Sequence, residues 1–460
     1  MPPRPAISEL KRRFPFYLFL AVVAASAFLG GTSRVDTVWL LALRLFCCLA
    51  IPLALLWPAP ERPARKLDVP LLFLAALAVA IGIQLIPLPP AIWTALPGHA
   101  HFAQAAELAG FPQPWRPISL TPWLTWNSLL TLLPITAALL CLARMDARFE
   151  DRLVIVYLCV LAVNLLFGVL QVAGLMDGPP LRYRFIHKDS AIGFFTNRNH
   201  AAVLLATGFP VLRLWVELAR NDAERWKQRA ILAAIAGLGM VPVIMATGSR
   251  SGMTVALVAI AIALGMAPLT PLSKRSAGGF PFLRIALCAV PFLLAGVIAL
   301  SGKARSLNRI IGNNVLEERR LELLPTNLRL LREFFPFGSG FGSFDPVFRV
   351  HEPDSALALS YFNHAHNDVL ELLITGGLPA FALFALLAGW IVWRVLPSRH
   401  AGSVREALYA RTGAIVIALW FAGSLTDYPL RVPFADVMLA FALFWLCPRA
   451  TTDDASGKRR

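Results

Sequence analysis

The sequence predicts an all-α polytopic membrane protein, with about 12 transmembrane helices and a large periplasmic loop between the ninth and the tenth. Composition, span length and charge placement predict it. Of the 460 residues, 57% are hydrophobic and only 15% charged, with a mean hydropathy of +0.64, whereas soluble globular chains are roughly half apolar and a quarter charged. Apolar stretches long enough to cross a hydrocarbon core of about 30 Å recur from end to end, so neither a signal peptide nor a single anchor accounts for them. The basic residues stand in short clusters between these stretches, where anionic headgroups and topology explain most of the +16 net charge.

Taken in order, the apolar spans are 14–30, 38–57, 69–86, 125–143, 153–176, 201–218, 231–247, 253–270, 285–301, 370–392, 412–426 and 434–447. They divide the chain into spans one to nine over 1–301, a periplasmic loop over 302–369, three further spans over 370–447 and a cytoplasmic tail over 448–460. With Lys11, Arg12 and Arg13 cytoplasmic, alternation puts the loops 58–68, 144–152, 219–230, 271–284 and 394–411 and the tail on the same side. These segments hold more than half of the 43 Lys and Arg. Most of the remaining bases lie in two long outside segments, 177–200 and 302–369, and long translocated loops are exempt from the positive-inside rule. Both termini are therefore expected in the cytoplasm. The six cysteines, Cys47, Cys48, Cys141, Cys159, Cys288 and Cys447, all lie in apolar stretches and are expected to be free, buried thiols. With no zinc-type Cys spacing, no Walker lysine and no recognition-helix pattern, nucleic acid is set aside as a partner.

Three outside segments carry the candidate chemistry. Segment 87–124 is rich in Pro and Trp, as expected of a loop in the aromatic headgroup belt. Segment 177–200 ends in Gly193-Phe194-Phe195-Thr196-Asn197-Arg198-Asn199-His200. The long loop ends in Asn363-His364-Ala365-His366-Asn367-Asp368, and a loop of that length without function is uncommon. Within it, Leu321, Leu324, Leu328, Leu331 and Phe335 recur at helical spacing and predict an amphipathic helix on the outer membrane surface, with Pro325 in its first turn.

Arginines near the outer ends of spans have two readings. A lone arginine there snorkels to the headgroups, while a guanidinium fork also suits phosphate oxygens. Arg250 stands in a short turn between Gly248 and Gly252, and Arg198 between two asparagines, so each offers donors to an anion at the outer leaflet. Arg44, about six residues inside the second span, is a functional candidate or a snorkelling one. His364 and His366 with Asp368 and Glu371 admit a metal site, a histidine general base, or an imidazole that caps the next helix. Gly338-Ser339-Gly340-Phe341-Gly342-Ser343-Phe344 is not a dinucleotide fingerprint, since no strand precedes it. A tight turn with amides aimed at an anion is the better account.

Taken together, the segment Gly193 to His200, Gly248-Ser249-Arg250-Ser251-Gly252, Arg320, the run Pro336 to Phe344, and His366-Asn367 with Gly377 resemble the O-antigen ligase and polymerase superfamily, from Gln84-Leu85-Ile86-Pro87-Leu88-Pro89 onward. The resemblance implies a membrane glycosyltransferase of GT-C type that takes a glycan from undecaprenyl diphosphate on the periplasmic side of the inner membrane. The acceptor is a lipid A-core sugar hydroxyl in ligases and another lipid-linked repeat unit in polymerases. By the same resemblance His366 is the base and Arg198, Arg250 and Arg320 are diphosphate ligands; Asn199, His364, Asn367, Asp427 and Arg431 beside them are candidate supporting residues. The transfer is expected to be inverting and to need neither metal nor cofactor. A transporter of small anions or lipid-linked sugars also suits many spans, but polar residues at mid-span, such as Asn164 and Gln171, are few.

Overall fold

The computed structural model describes residues 5–266 and 320–450, apart from 36, 61, 178–182, 184–185, 187–189, 321, 358–361 and 397–402. The expected ninth span, Cys288 and the first part of the long loop lie outside these residues. The described residues are helical almost throughout. Numbered in chain order, the helices are α1 Pro5–Leu29, α2 Val38–Leu56, α3 Asp68–Ile83, α4 Pro90–Trp93, α5 Ala100–Leu108, α6 Pro122–Leu130, α7 Leu133–Ala143, α8 Glu150–Val172, α9 Arg198–Glu217, α10 Ala223–Ala246, α11 Arg250–Gly265, α12 Leu324–Phe334, α13 Phe344–His351, α14 Asp368–Val395, α15 Val404–Ser424 and α16 Pro433–Leu446.

Among the described residues seven helical segments are long and apolar enough to cross a membrane: Glu9–Leu29, Val38–Leu56, Pro122–Ala143, Ala147–Val172, Ala223–Ala246, Asp368–Val395 and Val404–Ser424. Three shorter apolar helices, α3, α11 and α16, lie among them. Helix α9 is apolar along its middle but carries Arg198, Asn199, His200, Arg213 and Glu217. It is buried on nearly every side by α8, α10, α11 and α15, and so forms the centre of the bundle. The expected span 125–143 is two helices, because the chain turns at 131–132 before Pro134. Helix α15 begins two turns earlier than its apolar run, with Ser403 capping it through Glu406 N. Its first turns are held by the Arg405–Asp151 ion pair and by Tyr409, whose hydroxyl donates to Asp151 at 2.6 Å.

The helix ends gather into two groups separated by the length of α15, about 30 Å at 1.5 Å per residue. At one end Ala64 N bonds Met145 O and Lys66 N bonds Pro448 O. There buried Arg65 binds Glu150, Glu150 also binds Arg449, and Arg65 donates to the carbonyls of Trp445 and Cys447. A buried ion is stable only when paired and hydrogen-bonded, and here three chain segments, 64–66, 145–150 and 445–449, form the cluster. These are segments that alternation assigns to one side.

Helix α12 buries Leu330 and Phe334 and leaves Leu324, Leu328 and, just past its end, Phe335 exposed. The expected stripe is therefore the outward side of a wider apolar arc, whose inner side packs on α13 and α14. Leu321 lies outside the described residues. Among the described residues the five thiols are free, but Cys48 and Cys159 are exposed rather than buried, because they face away from the bundle.

Candidate functional site

At the other end of the bundle the segments 190–200, 364–368 and 425–431 meet. Asn197 caps α9 by accepting from Asn199 N at 2.9 Å, and Asn367 caps α14 by accepting from Leu370 N at 3.0 Å. The helix cap is thus the asparagine and not an imidazole. Asn367 Nδ2 also donates to Leu425 O at 3.1 Å, tying the start of α14 to the loop after α15.

That loop carries Asp427, which is 1% exposed and lies at the centre of the cluster. Its Oδ1 receives His366 Nδ1 at 3.0 Å, and its Oδ2 receives Asn197 Nδ2 at 3.0 Å and Asn199 Nδ2. His200 Nε2 and Arg320 Nη2 approach Oδ2 at 3.9 and 3.8 Å, and Arg320 Nη1 donates to Thr426 O at 2.8 Å. Burial works against the Asp427 carboxylate, but the hydrogen bond and charge of His366, with those of Arg320 and His200, outweigh it and hold the carboxyl well below its usual range. Burial pulls the His366 imidazole below its ordinary value, with Asp427 partly opposing the shift. Among the described residues His366 is the only non-glycine with a positive φ, 49°, a conformation that persists only where its surroundings impose it. Its Nε2 takes no hydrogen bond among the described residues.

His364 lies beside it but belongs to a separate network. Its Nδ1 meets Glu371 Oε1 at 3.0 Å and its Nε2 meets Ser33 Oγ at 3.3 Å. Glu371 also accepts from Ala365 N at 2.8 Å and pairs with Arg431 Nη1 at 3.2 Å, while Arg431 Nε donates to Asp368 Oδ1 at 3.1 Å. Arg431 thereby clamps the turn 429–431 onto the first turn of α14. The Tyr428 ring stands against both histidines, its centroid 4.2 Å from His364 and 4.9 Å from His366. The two histidines have different carboxylate partners, and no group of three or more His, Cys, Asp or Glu among the described residues is placed to hold a metal ion.

Arg198 and Arg250 begin α9 and α11. The first turns of these helices are in close contact, since a Cβ at Gly252 would stand 2.2 Å from that of Ala202. Ala191 N also bonds Ala246 O at 3.3 Å, which places the start of α11 beside the segment leading into α9. Both arginines are therefore at the end of the bundle that holds Asp427, and both are half-buried.

The glycine run behaves otherwise than expected. Ser339 N bonds Ile374 O, Gly340 N bonds Thr375 O, both at 2.9 Å, and Phe341 N bonds the Gln84 side chain at 2.9 Å. These amides are committed to the protein, so the turn holds the bend of α14 instead of facing an anion. At that bend Gly377 has φ 64° and ψ −163°, and a Cβ there would stand 2.3 Å from Pro336 O. Gln84 completes the knot by donating to Thr375 O at 3.1 Å.

Sequence reasoning placed Asp427 among the supporting residues and did not single out Asn197, His200 or Tyr428. The available signal was Asp427 itself, a carboxylate directly after an apolar span and two residues before a proline.

The fold and this end of the bundle define a multi-helix membrane protein with a histidine–carboxylate pair set among arginines. Residues 232–385 match the family described as O-Antigen ligase, which supports the O-antigen ligase and polymerase family for this chain. The matched stretch contains Arg250, Arg320, His364, His366 and Gly377. Arg198, Asn199, Asp427 and Arg431 lie outside it and join the site only through the fold. No curated protein matches the chain.

Proposed function

We propose that this chain is a glycosyltransferase of the inner membrane, facing the periplasm, that moves a glycan from undecaprenyl diphosphate to a sugar hydroxyl of lipid A-core. The observation that carries the reading is the 3.0 Å contact between His366 Nδ1 and buried Asp427. The carboxylate accepts the Nδ1 proton, which fixes the tautomer and leaves Nε2 as a proton acceptor. Burial keeps that imidazole neutral near pH 7, as a base requires.

The acceptor hydroxyl gives its proton to Nε2 while its oxygen forms the new bond to the anomeric carbon. The bond from that carbon to the diphosphate oxygen breaks on the opposite face, so the configuration inverts. The departing oxygen keeps the electron pair, and Arg198, Arg250 and Arg320 are assigned to neutralise its charge. On this assignment a divalent cation is not required, and transfer by the purified protein should persist in excess chelator; loss restored by Mg or Mn would make the arginine account wrong.

A polymerase that joins lipid-linked repeat units uses the same chemistry on a different acceptor. Lipopolysaccharide profiling of a deletion strain separates the two. Loss of the capped ladder with build-up of lipid-linked polymer identifies a ligase, and single-repeat products identify a polymerase.

A further inference from the structure

Arg44 is not part of the network around Asp427. It is the seventh residue of α2, so its Cα lies about 9 Å along the helix from Val38. Side chains in a helix lean toward its N-terminus, which brings the guanidinium back up toward the level of phospholipid phosphates. This is the site end of α2, because Ser33, just before the helix, touches His364. The guanidinium is half-buried between helices, with Nη2 donating to Asn127 Oδ1 at 2.8 Å. Asn127 lies on α6, two residues from Thr125, whose hydroxyl donates to Phe341 O in the glycine turn. Among the described residues Arg44 faces no carboxylate, and the neutral Asn127 amide is its one hydrogen-bond partner.

A charge held within an apolar span is costly unless it is compensated. The buried Arg65 at the opposite end has that compensation in Glu150; Arg44 has an amide, which orients the fork without neutralising it. We propose that Arg44, tethered by Asn127, binds the phosphate of a lipid seated against α2 and α6. The ligand chemistry is a phosphate ester or diphosphate on an apolar chain, presented at headgroup depth. Two sources carry it, an anionic phospholipid and the polyprenyl diphosphate donor; in the second case the proposal rests on the transferase reading.

The test is lipid binding by native mass spectrometry on the purified full chain in phosphatidylcholine nanodiscs. The probes are farnesyl diphosphate, phosphatidylglycerol and farnesol. Arg44→Gln should weaken one phosphate probe by about tenfold, Arg44→Lys, which keeps the charge but loses the fork, should retain part of that binding, and farnesol should be indifferent to both. Loss of farnesyl diphosphate alone identifies the donor, and loss of phosphatidylglycerol alone identifies a bound phospholipid. Unchanged binding of both phosphate probes overturns the proposal and leaves Arg44 as a helix tether. Should Arg44→Gln not fold, photoactivatable versions of the two phosphate probes are applied to the wild-type chain. Labelling within 38–56 or 122–130 supports the site, and labelling confined to other segments overturns it. None of these readouts requires turnover, so absence of glycan transfer by the purified wild-type chain would sink the transferase reading and leave the Arg44 result to be judged separately.

Discussion

Replacing Asp427 by Asn keeps the shape of the cluster and removes its charge. An amide that donates to His366 Nδ1 forces the proton onto Nε2, so the base is lost and transfer should fall by about two to four orders of magnitude. His366→Ala should lose as much, with little change in donor binding. His364→Ala should keep much more activity, since His364 is engaged with Glu371 and Ser33. The pH dependence has a definite sign. Because His366 must be neutral and burial lowers its pKa, the rate should rise with pH through a value below that of ordinary imidazole and then level off. The residual activity of Asp427→Asn should show that limb at still lower pH, because the opposing carboxylate is gone. A limb unmoved in the variant would remove Asp427 from the base. Arg250→Ala should weaken donor binding as well as turnover, and Arg250→Lys, which keeps the charge but not the fork, should rescue only in part. At this scale the motifs named the histidine and the arginines, and the fold brings them to one end of the bundle. Asp427 was named without its place, because its partners His366 and Asn197 are 61 and 230 positions away, and no local pattern encodes such a pairing.

The helices themselves were legible, since the described spans follow apolar runs, and the departures have physical causes. Span 125–143 breaks before Pro134, and α15 extends below its apolar run because ion pairs and a serine cap replace hydrophobicity there. The glycine run was misread because its amide partners come from Gln84 and from the bend of α14, both far off in sequence. That bend supports a prediction by substitution. Gly377→Ala adds a Cβ where φ is 64°, ψ is −163° and Pro336 O stands 2.3 Å away; for a residue with a Cβ that backbone conformation alone costs about 1–3 kcal/mol. The purified variant should melt at a lower temperature and lose transfer, because α14 carries Asn367 and Asp368 at its start. Gly389→Ala, in the same helix with nothing within 4 Å of the added carbon, is the control and should melt at or slightly above the wild-type temperature. Equal melting of both variants would mean that the bend is not held by the glycine turn.

For the molecule as a whole, the two groups of helix ends make topology testable. The segments that alternation places on one side are bound together around Arg65 and Glu150, and those on the other surround Asp427. A single cysteine near Ser343 should react with a membrane-impermeant reagent from the periplasm, and one near Arg225 should not. The reverse pattern would turn every assigned site residue toward the cytoplasm.

The Arg65 cluster also bears on the order in which the chain matures. Residues 62–66 and 146–150 emerge from the ribosome long before Trp445, Cys447 and Arg449, yet the carbonyls of Trp445 and Cys447 are acceptors for Arg65, and Arg449 is the second cation on Glu150. Through most of synthesis, then, an early-inserted pair waits with two of its donors' acceptors and one of its counter-charges still untranslated. Helix α16 and the residues after it close the early loops, so a chain that stops before residue 445 lacks the two carbonyl acceptors of Arg65 and the second cation on Glu150.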